Sequence, residues 1–253
     1  MPMPRLRVFA GPNGSGKSTI KDQIDPRLIN IYVNADEIEK GVKATGFLDL
    51  AEFNISTDAA ELHAFIDTHP LIIKAGLQDW IKLVGLDDRL LDFRAIEINS
   101  YYASVIADFI RHKLLDLRVS FTFETVMSSP DKVSFMRMAQ GRGYRTYLYF
   151  VATDSVEFNI NRVKNRVGDG GHPVSEDKIR KRYQGSLELL PAAVAASSRA
   201  FIFDNSGDKS IFLAEITDGT DLQFHTDEIP GWFLDAYIDK VIVGSGTSES
   251  TSN

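Results

Sequence analysis

A chain of 253 residues, 43% hydrophobic and 25% charged, has apolar material for one sizeable soluble domain, with or without an insertion. Its net charge of −7 counts against a general nucleic-acid binder, and no apolar run approaches the ~18–20 residues of a membrane span. The absence of cysteine excludes disulfides and thiolate metal sites, and with no signal-peptide core at the N-terminus a cytoplasmic location is expected.

"RLRVFA" (5–10) reads as a strand that runs into "GPNGSGKST". Gly11, Gly16, Lys17 and Ser18 fit G-x-x-x-x-G-K-[ST], the phosphate-binding P-loop, and "STIKDQI" continues as a short helix. "LINIYVNAD" (28–36) is a second β-rich run, and 41–118 reads as mostly helical. There, one helix starts at Thr57-Asp58 and breaks at Pro70, and an amphipathic one over 71–85 stops at Gly85. The longest, about 96–117, places Tyr102, Val105, Ile106, Phe109 and Ile110 on one side. "RVSFTFET" (118–125) alternates as a third strand, followed by a helix with Pro130 in its first turn. "YRTYLYFVA" (144–152) is the fourth strand, and helix 155–167 carries a stripe of Val156, Ile160, Val163 and Val167.

After "GDGGHP", Ser175 opens a helix lined by Ile179, Tyr183, Leu187 and Leu190, and "RAFIFDNSG" is the fifth strand. From 211 to 243 short strands precede a helix near "WFLDAYIDK", and 244–253 is a low-complexity, disordered tail. Strands alternating with helices specify an α/β P-loop NTPase with a doubly wound, mostly parallel five-stranded sheet. The expected single domain spans 1–243, and its ligands gather at the carboxyl ends of the strands, beside Gly11, Asp36 and Glu124.

Several residue types there suit phosphate chemistry. Gly14 and Gly16 let the backbone wrap an anion, Lys17 would neutralise β/γ-phosphates, and the Ser18 hydroxyl would ligate Mg²⁺. The candidate nucleotide contacts are Gly11, Asn13, Gly14, Ser15, Gly16, Lys17, Ser18 and Thr19. Asp36 in "NADEI" suits a general base that accepts a hydroxyl proton, and equally a helix N-cap. Glu124 suits an acid near Mg²⁺ or an exposed strand-end carboxylate, and Thr125 beside it can donate to a substrate or phosphate oxygen. Arg162 and Arg166 lie one helical turn apart, and Arg180, Lys181 and Arg182 follow the glycine-rich loop. Two basic helices around a flexible loop, about 162–182, read as a phosphate-closing lid against the plainer reading of a solvated charged face. Asn205 in "FDNSG" suits either an adenine or ribose contact or an Asx turn. His172 has no partner at metal-ligand spacing.

"AGPNGSGKST", "NADEI", "FTFETVMSS", "RVKNRVGDGGHPVSEDKIRKRYQGSLELLP" and "FDNS" occur in that order, and together the chain resembles the zeta-toxin family of P-loop kinases. The resemblance implies a nucleoside-kinase-like sheet, ATP or GTP with Mg²⁺, and phosphorylation of a small-molecule hydroxyl, the best-known acceptors being UDP-N-acetyl amino sugars. It implies Asp36 as catalytic base, Glu124 and Thr125 as substrate-side groups, Arg162 and Arg166 as phosphate-stabilising arginines, and an antitoxin-like protein partner. One departure is an extra helical segment of about 45–95, where the family's connection is much shorter. A nucleotide-driven switch without an acceptor and a polynucleotide end kinase are the alternatives, the second disfavoured by the acidic balance.

Overall fold

The computed structural model describes residues 3–168 and 174–241. In chain order they form β1 (Arg5–Ala10), α1 (Lys17–Gln23), α2 (Pro26–Ile29), β2 (Ile31–Val33), α3 (Ala35–Thr45) and β3 (Phe47–Asp49). There follow α4 (Ala59–Asp67), α5 (Pro70–Ala75), β4 (Gly85–Asp87), β5 (Leu90–Asp92), α6 (Ser100–Asp116), β6 (Phe121–Thr125) and α7 (Pro130–Gly141). The chain continues through β7 (Arg145–Ala152), α8 (Val156–Gly168), α9 (Glu176–Ala195), β8 (Arg199–Asp204), β9 (Ile211–Thr217), β10 (Asp221–Phe224) and α10 (Gly231–Phe233). The expected tail 244–253 and most of the "GDGGHP" loop, His172 included, lie outside the described residues.

Two compact units emerge: one joins the chain up to Asn30 with everything from Thr122, the other is Ile31–Phe121. In the first, the strands lie in the order β10-β9-β8-β7-β1-β6. β1 pairs β7 in parallel, and β7 pairs β8 likewise, which is the doubly wound α/β arrangement. Leu6, Val8, Phe9 and Ala10 of β1 are buried, as a strand flanked on both sides requires. Phe9 stacks on Tyr149 with centroids 4.7 Å apart, and Ile20 of α1 joins this cluster, fixing the helix that leaves the P-loop.

The sheet is longer than the five strands expected, because 211–224 adds an antiparallel hairpin, β9–β10, onto β8. Its turn is made by Asp218 and Gly219, both at positive φ (50° and 74°). Val167, placed in the apolar stripe of α8, is exposed, whereas Ile160 and Val163 are buried with Ile179.

The segment from Asp25 to Asp92 corrects the sequence reading in three places. The β-run 28–36 is reduced to Ile31–Val33, because Pro26 starts the short helix α2, capped by Asp25, and Asn30 sits at φ 57°. The helix expected over 71–85 ends at Ala75: Gly76 adopts a left-handed cap (φ 63°) and returns its N–H to Ile72. The segment 45–95 is not wholly helical, since β3, β5 and β4 form a three-stranded antiparallel sheet inside it. Around α6 the core is the expected one: Val105, Ile106, Phe109 and Ile110 are buried, and Tyr102 stacks on Trp80 at 4.2 Å.

Candidate active site

The turn from β1 to α1 is built on left-handed backbone. Gly11, Gly14 and Gly16 have φ of 140°, 77° and 92°, values that a side chain opposes. Lys17, itself buried, curls back over the loop and donates from Nζ to the Gly11 and Pro12 carbonyls, at 2.9 Å each. Glu124, at the carboxyl end of β6, lies 3.9 Å from that ammonium and accepts from Ser18 Oγ at 3.3 Å. Strand-end acid, loop lysine and first-turn hydroxyl therefore converge.

Two amides absent from the motif pin the loop from outside. Asn159 of α8 donates to the Asn13 carbonyl at 2.6 Å, while its own Oδ1 accepts from Thr153. Asn205, just past β8, donates to the Ser15 carbonyl at 2.8 Å. That assigns Asn205 a positioning bond to the loop, and its backbone carbonyl in turn accepts from Arg162 Nη1 at 2.7 Å. Asn159 escaped the sequence reading, which carries no sign of its complete burial. Asn205→Ala removes the loop's tether to β8. A roughly three- to tenfold weaker nucleotide affinity is expected by equilibrium dialysis, the scale of one lost hydrogen bond.

Among the basic residues of the expected lid, the structure separates those near the loop from those away from it. Arg162 reaches Asn205, and Arg182 donates to Asn13 Oδ1 at 3.3 Å. Arg180 instead pairs with Glu157 at 2.7 Å, which pulls that carboxyl below its ordinary range, and Lys164 bridges to Glu176 at 2.6 Å. Arg166 is exposed one turn beyond Arg162. Tyr183 of α9 donates to the Thr153 carbonyl at 2.6 Å, and burial raises its phenol to about 12. Thr125 Oγ1 accepts from Met127 N–H at 3.1 Å, a turn bond that supports the left-handed Met127 (φ 55°). Ser18 and Thr19 are exposed at the start of α1.

Asp36 belongs to the other unit. The N-cap of α3 is Asn34, whose side chain accepts from Asp36 N–H at 2.9 Å. Asp36 itself lies exposed in the first turn, so the capping alternative for its carboxylate is excluded.

The donor set near the loop fits a hard cation. Ser18 Oγ and the Glu124 carboxylate are oxygen ligands of the kind Mg²⁺ takes alongside phosphate oxygens, with no all-protein cage required. Among the described residues no group of three or more His, Cys, Asp or Glu side chains forms such a cage.

Fold and loop together define a P-loop NTPase of mostly parallel α/β architecture. Residues 93–217 match the model of the family described as Zeta toxin, which shows the resemblance to that family over this stretch. The chain is also 31% identical over 72 residues to an uncharacterized protein of Haemophilus influenzae, an alignment covering 28% of this chain and 51% of that one. The chain thus spans about half the length of this curated relative (51%). Among solved structures it is similar to the AvrRxo1-ORF1:AvrRxo1-ORF2 complex with sulphate ions (14% identity, TM-score 0.49), covering 89% of this chain and 62% of that one. It is also similar to the PezAT toxin–antitoxin system of Streptococcus pneumoniae (13% identity, TM-score 0.46, 98% and 86% covered). Among the described residues no helix is long and apolar enough to cross a membrane.

Proposed function

We propose that the chain is a Mg²⁺-dependent phosphotransferase using ATP or GTP to phosphorylate a hydroxyl of a small molecule. The convergence of Lys17, Ser18 and Glu124 at a left-handed glycine loop carries this reading. The nucleotide with Mg²⁺ supplies the γ-phosphoryl group: its bond to the bridging oxygen breaks as the acceptor oxygen bonds phosphorus. Lys17 holds charge against the phosphates, and Ser18 with Glu124 offers oxygens to the cation or its waters. Arg162 and Arg182 stand beside the loop, where cationic donors stabilise charge that develops in transfer. Asp36 accepts the proton leaving the acceptor hydroxyl.

The family resemblance supports UDP-amino sugars as the first acceptors to test. It also supports an antitoxin-like partner. The full chain is incubated with Mg-ATP and a pool of UDP-sugars, free sugars and nucleosides. A mass gain of one phosphate on an acceptor, with ADP release that depends on it, is expected. ADP release indifferent to every added metabolite would instead favour a switch or simple ATPase.

A further inference from the structure

Asp204 ends β8 as a carboxylate only 7% exposed, and its neighbours supply the donors that such burial demands. Trp232 Nε1 donates to Oδ1 at 2.8 Å, Ser206 Oγ to the same oxygen at 2.7 Å, and Ser206 N–H to Oδ2 at 3.2 Å. The Ser206 hydroxyl accepts in turn from Asp154 N–H at 2.8 Å, which joins the chain leaving β7 to the same cluster. Trp232 comes from α10, beyond the stretch that matches the family model. It is itself anchored: the indole is buried with its centroid 6.4 Å from that of Phe150, and Phe233, Ala236 and Tyr237 beside it are buried too.

The next residue, Asn205, carries the loop's tether. Its N–H donates to the Ala152 carbonyl at 2.9 Å, its carbonyl accepts from Arg162, and its amide donates to the Ser15 carbonyl at 2.8 Å. A Cβ on Gly16 would fall 2.0 Å from Asn205 Nδ2, so the amide lies directly against the loop. Two consecutive residues thus bond to α10 and to the glycine loop, with one peptide unit between them.

We infer that Trp232 is a positioning residue for the phosphate-binding loop: its indole N–H fixes Asp204, and thereby the Asn205 amide that holds Ser15. The inference rests on the reading of that loop as the nucleotide site, and adds a determinant from the far end of the chain. Without the indole donor, the buried Asp204 carboxylate is left short of a partner and turns to find one. The peptide that carries Asn205 turns with it. The loop then spends less time in its binding shape, and nucleotide affinity falls by that fraction. Because Trp232 acts through the Asn205 tether, its effect cannot exceed that of removing the tether itself.

Trp232→Phe keeps an aromatic ring and removes the donor. Benzothienylalanine at 232 removes it at nearly unchanged ring size, with sulfur in place of N–H, and decides the matter if the first variant folds poorly. Binding of AMP-PNP and of GMP-PNP, each with Mg²⁺, to the full chain is measured by equilibrium dialysis well below each variant's thermal midpoint. Either variant is expected to weaken the nucleotide that the parent binds by about two- to fivefold, part of the effect of one lost hydrogen bond. Placed on the Asn205→Ala background, either is expected to weaken it by less than about 1.5-fold further, since the route to the loop is already cut. A lower thermal midpoint with unchanged affinity, or an equal weakening in both backgrounds, overturns the inference and leaves the nucleotide reading standing. A parent chain that binds neither nucleotide overturns both.

Discussion

Asp36→Ala is expected to cut phosphoryl transfer by about 10²–10⁴-fold while nucleotide affinity stays within about twofold, the scale of a lost general base. The variant separates chemistry from folding unusually well. The α3 cap is supplied by Asn34, so alanine at 36 removes no capping bond, and the Asp36 carboxylate is exposed, so no buried partner is orphaned. The remaining structural cost is the loss of a favourable anion at a helix N-terminus, about 0.3–1 kcal/mol. Asn34→Ala serves as the opposite control: it costs about 1 kcal/mol of stability through the cap and leaves the carboxylate in place. Initial rates of acceptor phosphorylation, with nucleotide binding followed in parallel, check the result. Transfer at the unsubstituted rate would remove Asp36 from the role of base.

Gly11→Ala is expected to destabilise the protein by about 3–5 kcal/mol and to abolish detectable nucleotide binding, combining backbone strain with overpacking. The backbone at 11 has φ 140°, and a Cβ there would lie 2.0 Å from the Val151 carbonyl oxygen of the neighbouring strand. That oxygen belongs to a central strand locked in the parallel ladder, so it cannot step aside. Urea titration monitored by circular dichroism reads the loss as a lower midpoint at unchanged slope. Gly41→Ala is the contrast: its Cβ would meet nothing within 4 Å on the exposed side of α3, and it should gain about 0.5–1 kcal/mol from helix propensity. A Gly11 variant as stable as the parent would mean that the loop tolerates a different backbone path.

Legibility in the sequence followed the range of the interactions. The P-loop was readable because its glycines, Lys17 and Ser18 act within a single turn, where spacing alone defines geometry. Strands β1 and β7 were readable because a buried parallel strand is a continuous apolar run, and β8 because its buried positions alternate. The segment 71–85 was misread because amphipathic spacing continues across Gly76, whose left-handed φ ends the helix where the pattern does not. The short strands β3, β4 and β5 carry only three residues each, too few for alternation to register. For the cap of α3 the sequence offered Asp36 as one alternative and passed over Asn34, since Asn and Asp both cap well and only coordinates decide between them. The contacts of Asn159, Asn205 and Arg182 with the loop were invisible for a different reason: no local pattern encodes a partner so far along the chain.

Those tethers also set a timetable for assembly. Asn159 reaches back 146 residues to Asn13, and Asn205 reaches back 190 residues to Ser15. The glycine loop therefore leaves a ribosome well before the residues that give it its working shape. Closing so long a span costs loop entropy before any bond repays it, and high contact order slows folding. A nascent chain halted before residue 205 would display the whole phosphate-binding motif and lack the β8-side tether that shapes it.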